Sequence, residues 1–410
     1  MTLKELWTWW QAIWFEPRPV TPIALYRIIF GCLVLSFGFL LWPDLTNFFG
    51  EHAIVSMATA RQWWHGPTLN VLLLFPGDDN TLISLFALFM VAALGLTVGL
   101  FTRVSAFVVY LGLVALTFRN PFVFHSGDCF MRVASFLLML SPCGEALSLD
   151  NLLKVAISKD PASVGRSPHP PWAQRLIQFN LAAVYADAFW TKAMSEQWLS
   201  GLSVYYATRL DQFKRLPVPL LFDHVWICKL LSWGTLTIEL AMWTLIWFRD
   251  IRYWLLAAAI LFHLGLDWAM NIPLFQLIMI ATFVAFVDPA DLTKVMNAIK
   301  ARARNLVGEP LPVVVSSVST AGPRMAELIR RLDIFGLLDL TNQACADDLQ
   351  PGVLVAVRSG NQWHSGLAVW RCLAGRLPLL WIFYPFLQLP GMRWLASRLN
   401  KRPACVPKAN

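Results

Sequence analysis

Long apolar runs, separated by short charged or proline-bearing breaks, dominate the first 290 residues of this chain. An α-helix needs about 17 to 25 apolar residues to cross the hydrocarbon core of a bilayer. Eight stretches approach that length, near 22–42, 80–100, 103–119, 130–147, 174–194, 226–248, 253–271 and 273–288. The fourth is interrupted by Ser141, Pro142 and Cys143, and the last two are parted only by Ile272 and Pro273. Those two read as a tight hairpin or as one kinked unit. The pattern predicts an all-α polytopic membrane bundle of about eight transmembrane helices over residues 21–290. Ahead of it, KELWTWWQAIWFEPRP is too amphipathic for the core of a signal peptide. Residues 1–20 are therefore expected to form an interfacial amphipathic helix.

Beyond residue 310 the period changes. PVVVSSV reads as a strand, GPRMAELIRRLD as an amphipathic helix, FGLLDL as a strand, and GVLVAVRSGNQWHSG as a hairpin turning near Ser359-Gly360-Asn361. From His364 onward the pattern looks helical, with LPLLWIFYPFLQLPGM apolar enough to pack on a membrane or on the sheet. This order predicts a small C-terminal α/β unit of thioredoxin-like type over 312–410, joined by a basic linker over 291–311. Its redox pair would belong in the loop Ser316 to Met325, which contains no cysteine.

Composition supports the membrane reading. The chain is 57% hydrophobic and only 14% charged, against about 25% charged in soluble domains. The net charge of +8 then reflects sidedness and implies no nucleic-acid partner. With the N-terminus inside, Lys4, Arg18, Arg103, Lys154, Lys159 and Arg166 fall on the inner side, with further bases at 249–304. Only Arg61, Arg119, Arg209, Lys214 and Arg215 fall outside. The positive-inside rule then favours an even number of spans, with both termini cytoplasmic in an inner (plasma) membrane. Trp63 and Trp64 in the first outer loop suit the lipid–water interface. The seven cysteines form no C-x-x-C pair and no zinc-ligand spacing. Cys32 and Cys228 lie inside spans, and Cys345, Cys372 and Cys405 lie in the terminal unit. No metal site is expected.

Several polar residues fall inside apolar runs, where an ionisable group marks a functional site by default. Lys192 ends the fifth span and shares a helical face with Tyr185 and Gln178, while Asp187 lies on another face. Trp198 and Gly201 follow it. His263, Asp267 and Asn271 recur every four residues, so the Asp267 carboxylate could hold the His263 tautomer for acid/base work. Glu239 sits within the sixth span, and FRNPFVFHSGDCFMR brings Arg119, Asn120, His125, Asp128 and Arg132 to one outer level. Each has a plainer reading: a lysine snorkelling to the headgroups, interhelical glue, or a polar turn. Together they predict an outward-facing, charge-lined cavity. H-E-x-x-H, phosphate-loop and dinucleotide motifs are absent.

These residues carry a family resemblance. PVTPIALYRIIFGCLVLSFG, FRNPFVFHSGDCFMRVASFLLMLSPCGEALSLD, QRLIQFNLAAVYADAFWTKAMSEQWLSGLSVYY and the H-x-x-x-D span before FVAFVDP together resemble the horizontally transferred transmembrane (HTTM) family. That family shares its membrane domain with vitamin K-dependent gamma-carboxylase. The resemblance spans residues 15–290. GNQWHSGLAVWRCL and the closing RLNKRP resemble a DCC-type thioredoxin-like domain, without the D-G-x-C-x-x-C element. The resemblance implies a lysine base, matched by Lys192 with Trp198 after it, and a histidine for which Asn120 and His125 both lie close. It implies a reduced quinone as cofactor, and a lipophilic quinol or secreted peptide as partner beside the lipid bilayer. The expected catalytic set is Lys192, His125, His263 and Asp267. Arg119, Asn120, Asp128, Arg132, Tyr185, Trp198 and Glu239 are expected to bind substrate, with Arg119 or Arg132 facing an oxyanion. A non-catalytic factor for maturation or export of a secreted peptide is the alternative.

Overall fold

The computed structural model describes residues 2–63, 71–213, 215, 220–316, 321–340, 354–359, 362–389 and 391–392. Trp64, Lys214, Cys345, Cys405, the turn at Gly360–Asn361 and the closing RLNKRP lie outside these residues. In chain order the helices are α1 (Leu3–Phe15), α2 (Thr21–Leu41), α3 (Leu45–Phe49), α4 (Met57–Trp63), α5 (Asp79–Val98), α6 (Thr102–Arg119), α7 (Ser126–Leu140), α8 (Leu149–Ile157) and α9 (Trp172–Ala193). They continue as α10 (Glu196–Leu199), α11 (Ser203–Ala207), α12 (Val225–Thr244), α13 (Arg249–Ala269), α14 (Phe275–Thr282), α15 (Pro289–Val307), α16 (Gly322–Leu332), α17 (Leu367–Arg376) and α18 (Tyr384–Gln388). The chain divides into two units, one of residues 1–148 and 168–288, the other of 149–167 and 289–410.

The first unit is helical throughout. Helices α2, α5, α6 and α7 pack in succession, α9 pairs with α12, and α13 with α14. Helix α2 approaches α5 so closely that a Cβ on Gly31 would lie 2.3 Å from Thr97 Oγ1. Helix α5 ends where Gly99 takes φ +72°, a left-handed conformation that glycine adopts without strain. Away from the core, Leu88, Val91 and Leu94 on α5 and Trp226, Leu230 and Trp233 on α12 are exposed. A solvent of lipid accounts for apolar surface on this scale. Helix α1 has a capping box between Thr2 and Glu5 and buries no residue. Its Trp14 stacks on Phe179 at 5.4 Å.

The expected eight spans are matched in part. Among the described residues, four helical segments are long and apolar enough to cross a membrane: Thr21–Phe49, Asp79–Val98, Thr102–Arg119 and Val225–Thr244. A fifth is added if the bent pair Phe275–Phe286 and Pro289–Val307 is one span. The other expected spans are helical but are shortened or charged. Helix α7 has 15 residues, α9 carries Arg175, Asp187 and Lys192, and α13 carries Arg249, Asp250, Arg252 and Asp267. The stretch expected as a basic linker is helical over Pro289–Val307.

Asp78 caps α5 from outside the apolar span, accepting hydrogen bonds from Thr81 N at 3.0 Å and Thr81 Oγ1 at 2.8 Å. Those bonds hold its carboxyl below the ordinary value. A depressed folded-state value makes the cap fully effective above the ordinary carboxylate range and weakens it as pH falls through the lower value. Protection of the first-turn amides of α5 against hydrogen exchange, taken relative to the intrinsic rate at each pH, should therefore fall at low pH. In Asp78→Asn, which keeps an acceptor but cannot titrate, that pH-dependent loss of protection should disappear.

Among the described residues, the second unit holds a four-stranded sheet in the order β2-β1-β3-β4, with β1 (Leu311–Val315), β2 (Leu338–Asp339), β3 (Val355–Ser359) and β4 (Gln362–Ser365). Strand β1 runs parallel to β2 and antiparallel to β3, which forms a hairpin with β4. The expected helix from His364 begins instead at Leu367, because His364 pairs in the ladder opposite Val357. Val313, Ile329, Val357 and Leu373 form the core. Helix α8 packs on α16, where the buried Glu327 carboxylate receives Arg166, Arg330 and Arg331 at 3.2, 2.6 and 3.0 Å.

Candidate functional site

Helix α9 turns one polar face toward its neighbours. Seven residues take a 3.6-residue helix almost two full turns, so Gln178, Tyr185 and Lys192 form a seam. Each reaches a different segment. Gln178 Nε2 donates to the Ala285 carbonyl at 2.6 Å. The Tyr185 hydroxyl meets His263 Nε2 on α13 at 2.6 Å. Lys192 Nζ donates to Glu239 Oε1 on α12 at 2.5 Å.

The lysine is neither isolated nor simply snorkelling. Its side chain is 24% exposed, against 6% for Glu239, so the ammonium can be approached while its partner is enclosed. Trp198, on the short α10, places its ring 5.3 Å from Nζ, within cation–π range. The second carboxylate oxygen, Glu239 Oε2, is buried and has no hydrogen-bond partner among the described residues. A buried acceptor left open beside an accessible cation is an unusual pairing, because the desolvation penalty of such an atom is normally offset by a hydrogen bond.

Two turns back along α9, Tyr185 belongs to a second group of three. His263 Nδ1 lies 2.5 Å from Gln276 Oε1 on α14. That oxygen can only accept, so Nδ1 carries the proton and the bare Nε2 accepts from Tyr185. Gln276, at 1% exposure, therefore sets the tautomer. Asp267, expected in that role, instead pairs with Arg215 Nη1 at 2.9 Å. One turn along α13 puts its carboxylate beside Arg215 and the Asp211–Phe213 turn, where the Asn271 backbone N–H also donates to the Phe213 carbonyl at 2.7 Å.

His125 and Asp128 are the two halves of a helix cap. His125 Nδ1 accepts from Gly127 N at 3.0 Å, and Asp128 Oδ2 accepts from His125 N at 2.8 Å. With Nδ1 so occupied, Nε2–H donates to the Pro273 carbonyl at 3.1 Å. The capped start of α7 is thereby held against the turn into α14. Phe275 in that turn touches both His125 and His263, with centroids at 5.8 and 6.5 Å.

The remaining polar residues serve backbone. Arg119, fully buried, donates to the carbonyls of Val55 and Gly50 at 2.8 and 3.2 Å. Asn120 donates to the Phe48 carbonyl at 3.1 Å. Both hold the segment at 48–55 to the end of α6. Arg132 stands apart, donating to Cys129 Sγ at 3.0 Å and lying over Phe118. An apolar cavity of about 140 Å³ between α5 and α6 is lined by Phe86, Phe89, Val108 and Leu111, and none of the polar residues above reaches it. No group of His, Cys, Asp and Glu suited to a metal ion occurs among the described residues.

The structure thus joins Lys192, Glu239 and Trp198, and joins Tyr185 to His263. Gln276 was missed, although a glutamine in the otherwise apolar FQLIMIATF was a visible signal. Arg215 was read only as an outer charge. The model of the HTTM domain family matches residues 15–290. No solved structure matches the chain.

Proposed function

Because this chain belongs to the HTTM domain family, we propose that its membrane unit abstracts a proton from a lipophilic or peptide substrate, with Lys192 as the base. The observation that carries this reading is the Lys192–Glu239 ion pair, with its partly exposed lysine side chain and its open buried acceptor. A lysine acts as a base only as the neutral amine. A carboxylate 2.5 Å away can take the ammonium proton and later return it, and both charges vanish while it does so. Tyr185 and His263 offer the next donor and acceptor along the seam. His125 and Asp128 act by positioning the α14 turn, and Arg119 and Asn120 act through the outer segment they hold.

A reduced quinone, the cofactor implied by the resemblance, suits the accessible side of this pair: the Lys192 ammonium and the Trp198 ring face would hold it. It would supply an acidic hydroxyl and reducing equivalents. The proposal includes the finer architecture as well: eight spans with α7, α9, α13 and α14 among them, both termini cytoplasmic, in a bacterial inner membrane. The strand order β2-β1-β3-β4 supports a thioredoxin-like reading of the terminal sheet.

The alternative is a non-catalytic membrane factor for maturation or export of a secreted peptide. It is favoured by the matching of each seam residue to a partner, which interhelical glue also produces. Lys192→Arg separates the two readings, since it keeps the charge but cannot deliver a neutral base. With the chain reconstituted and folding verified, quinol or peptide turnover should fall by about 100-fold or more. Full function in cells carrying Lys192→Arg would sink the base role.

A further inference from the structure

The second unit carries an apolar surface that its own core does not use. Residues 378–389 form a 3₁₀ turn and the short α18, and neither contains a buried residue. Trp381, Ile382, Phe383 and Phe386 are 58%, 70%, 56% and 60% exposed. The segment is fastened by Arg371, whose Nε donates to the Leu387 carbonyl at 2.8 Å, so these side chains are presented by an anchored backbone. A water-facing domain rarely displays so many large side chains together. The mixture of Trp, Tyr and Phe with aliphatic residues suits the lipid–water interface.

Charge identifies the occupant. From residue 351 to 410 the sequence contains no Asp or Glu, while bases recur at Arg358, Arg371, Arg376, Arg393, Arg398 and Lys401. A second copy of the chain would bring a surface of the same sign and be repelled. An anionic bilayer would attract the bases and accept the aromatic groups. Helix α15 in the same unit repeats the chemistry, with Val295, Ile299 and Leu306 exposed among Lys294, Lys300 and Arg302.

We propose that the aromatic segment 378–389 is a lipid-docking surface that inserts into the headgroup layer of an anionic membrane. The docking is independent of the Lys192 chemistry, so either can fail alone. The test places the photo-crosslinker p-benzoylphenylalanine at Ile382, at Phe386 and, as a control, at the exposed Gln362 of β4. The full chain is embedded in nanodiscs of phosphatidylglycerol or of phosphatidylcholine. Lipid adducts at 382 and 386 are expected to exceed those at 362 several-fold. They should also be roughly fivefold or more higher in the anionic lipid, the factor associated with one basic side chain near such a surface. Adducts chiefly to a second chain, yields no greater than at Gln362, or equal yields in the two lipids would each overturn the proposal.

Discussion

Lys192→Ala is expected to destabilise the membrane unit by about 3 kcal/mol, and Glu239→Ala by about half as much. The asymmetry follows from burial. Removing the lysine strands a carboxylate of 6% side-chain exposure, whereas removing the glutamate leaves an ammonium at 24% exposure with the Trp198 ring still beside it. The double variant Lys192→Met with Glu239→Leu removes both charges at similar volume. It should return to within about 1 kcal/mol of the parent, because a buried pair and an apolar replacement are often nearly equal in stability. Thermal unfolding in one detergent gives the cycle. Turnover should be lost by about 100-fold or more in all three variants. A double variant that is stable and fully functional would identify the pair as packing and end the catalytic reading.

The second large effect is steric. In Gly31→Leu the new Cβ would lie 2.3 Å from Thr97 Oγ1 and 2.8 and 2.9 Å from Thr97 Cα and N. The hydroxyl could rotate, but the backbone of α5 could not withdraw without separating two of the most apolar helices in the unit. Overpacking against backbone should cost about 3 kcal/mol or more, and Gly31→Ala about half of that. Gly234 and Gly265 provide the contrast, since a Cβ on either meets nothing within 4 Å. Alanine there should be neutral or stabilising by up to about 1 kcal/mol. Melting temperatures of the three alanine variants should therefore separate Gly31 from the other two. Equal losses at all three positions would contradict the close α2–α5 approach.

Much of the site was legible because helical geometry is local. The Gln178–Tyr185–Lys192 seam follows from seven-residue spacing alone, and each member reaches inward to a neighbouring segment. Glu239 stood out because a carboxylate within an apolar helix needs a reason to be there. The same local logic failed for Asp267. Four-residue spacing put it one turn from His263 but said nothing about Arg215, which lies 52 residues away in sequence. His125 and Asp128 looked like a catalytic dyad, yet three-residue spacing at a helix start is also the geometry of a cap.

By itself the sequence determined the solvent and the periodicities. Apolar runs of membrane length, basic loops and a change to alternating strands specify a helical membrane unit followed by a small sheet unit. These signals need only neighbours along the chain. Tertiary structure alone decided which polar groups pair. Lys192 meets Glu239 because α9 packs on α12. His263 takes its tautomer from Gln276 because the turn before α14 folds that helix back along α13. Such pairings depend on helix rotation and crossing, which no single helix encodes. The low dielectric of the interior makes each of them decisive, since an ionisable group there must find its partner in another helix or give up its charge.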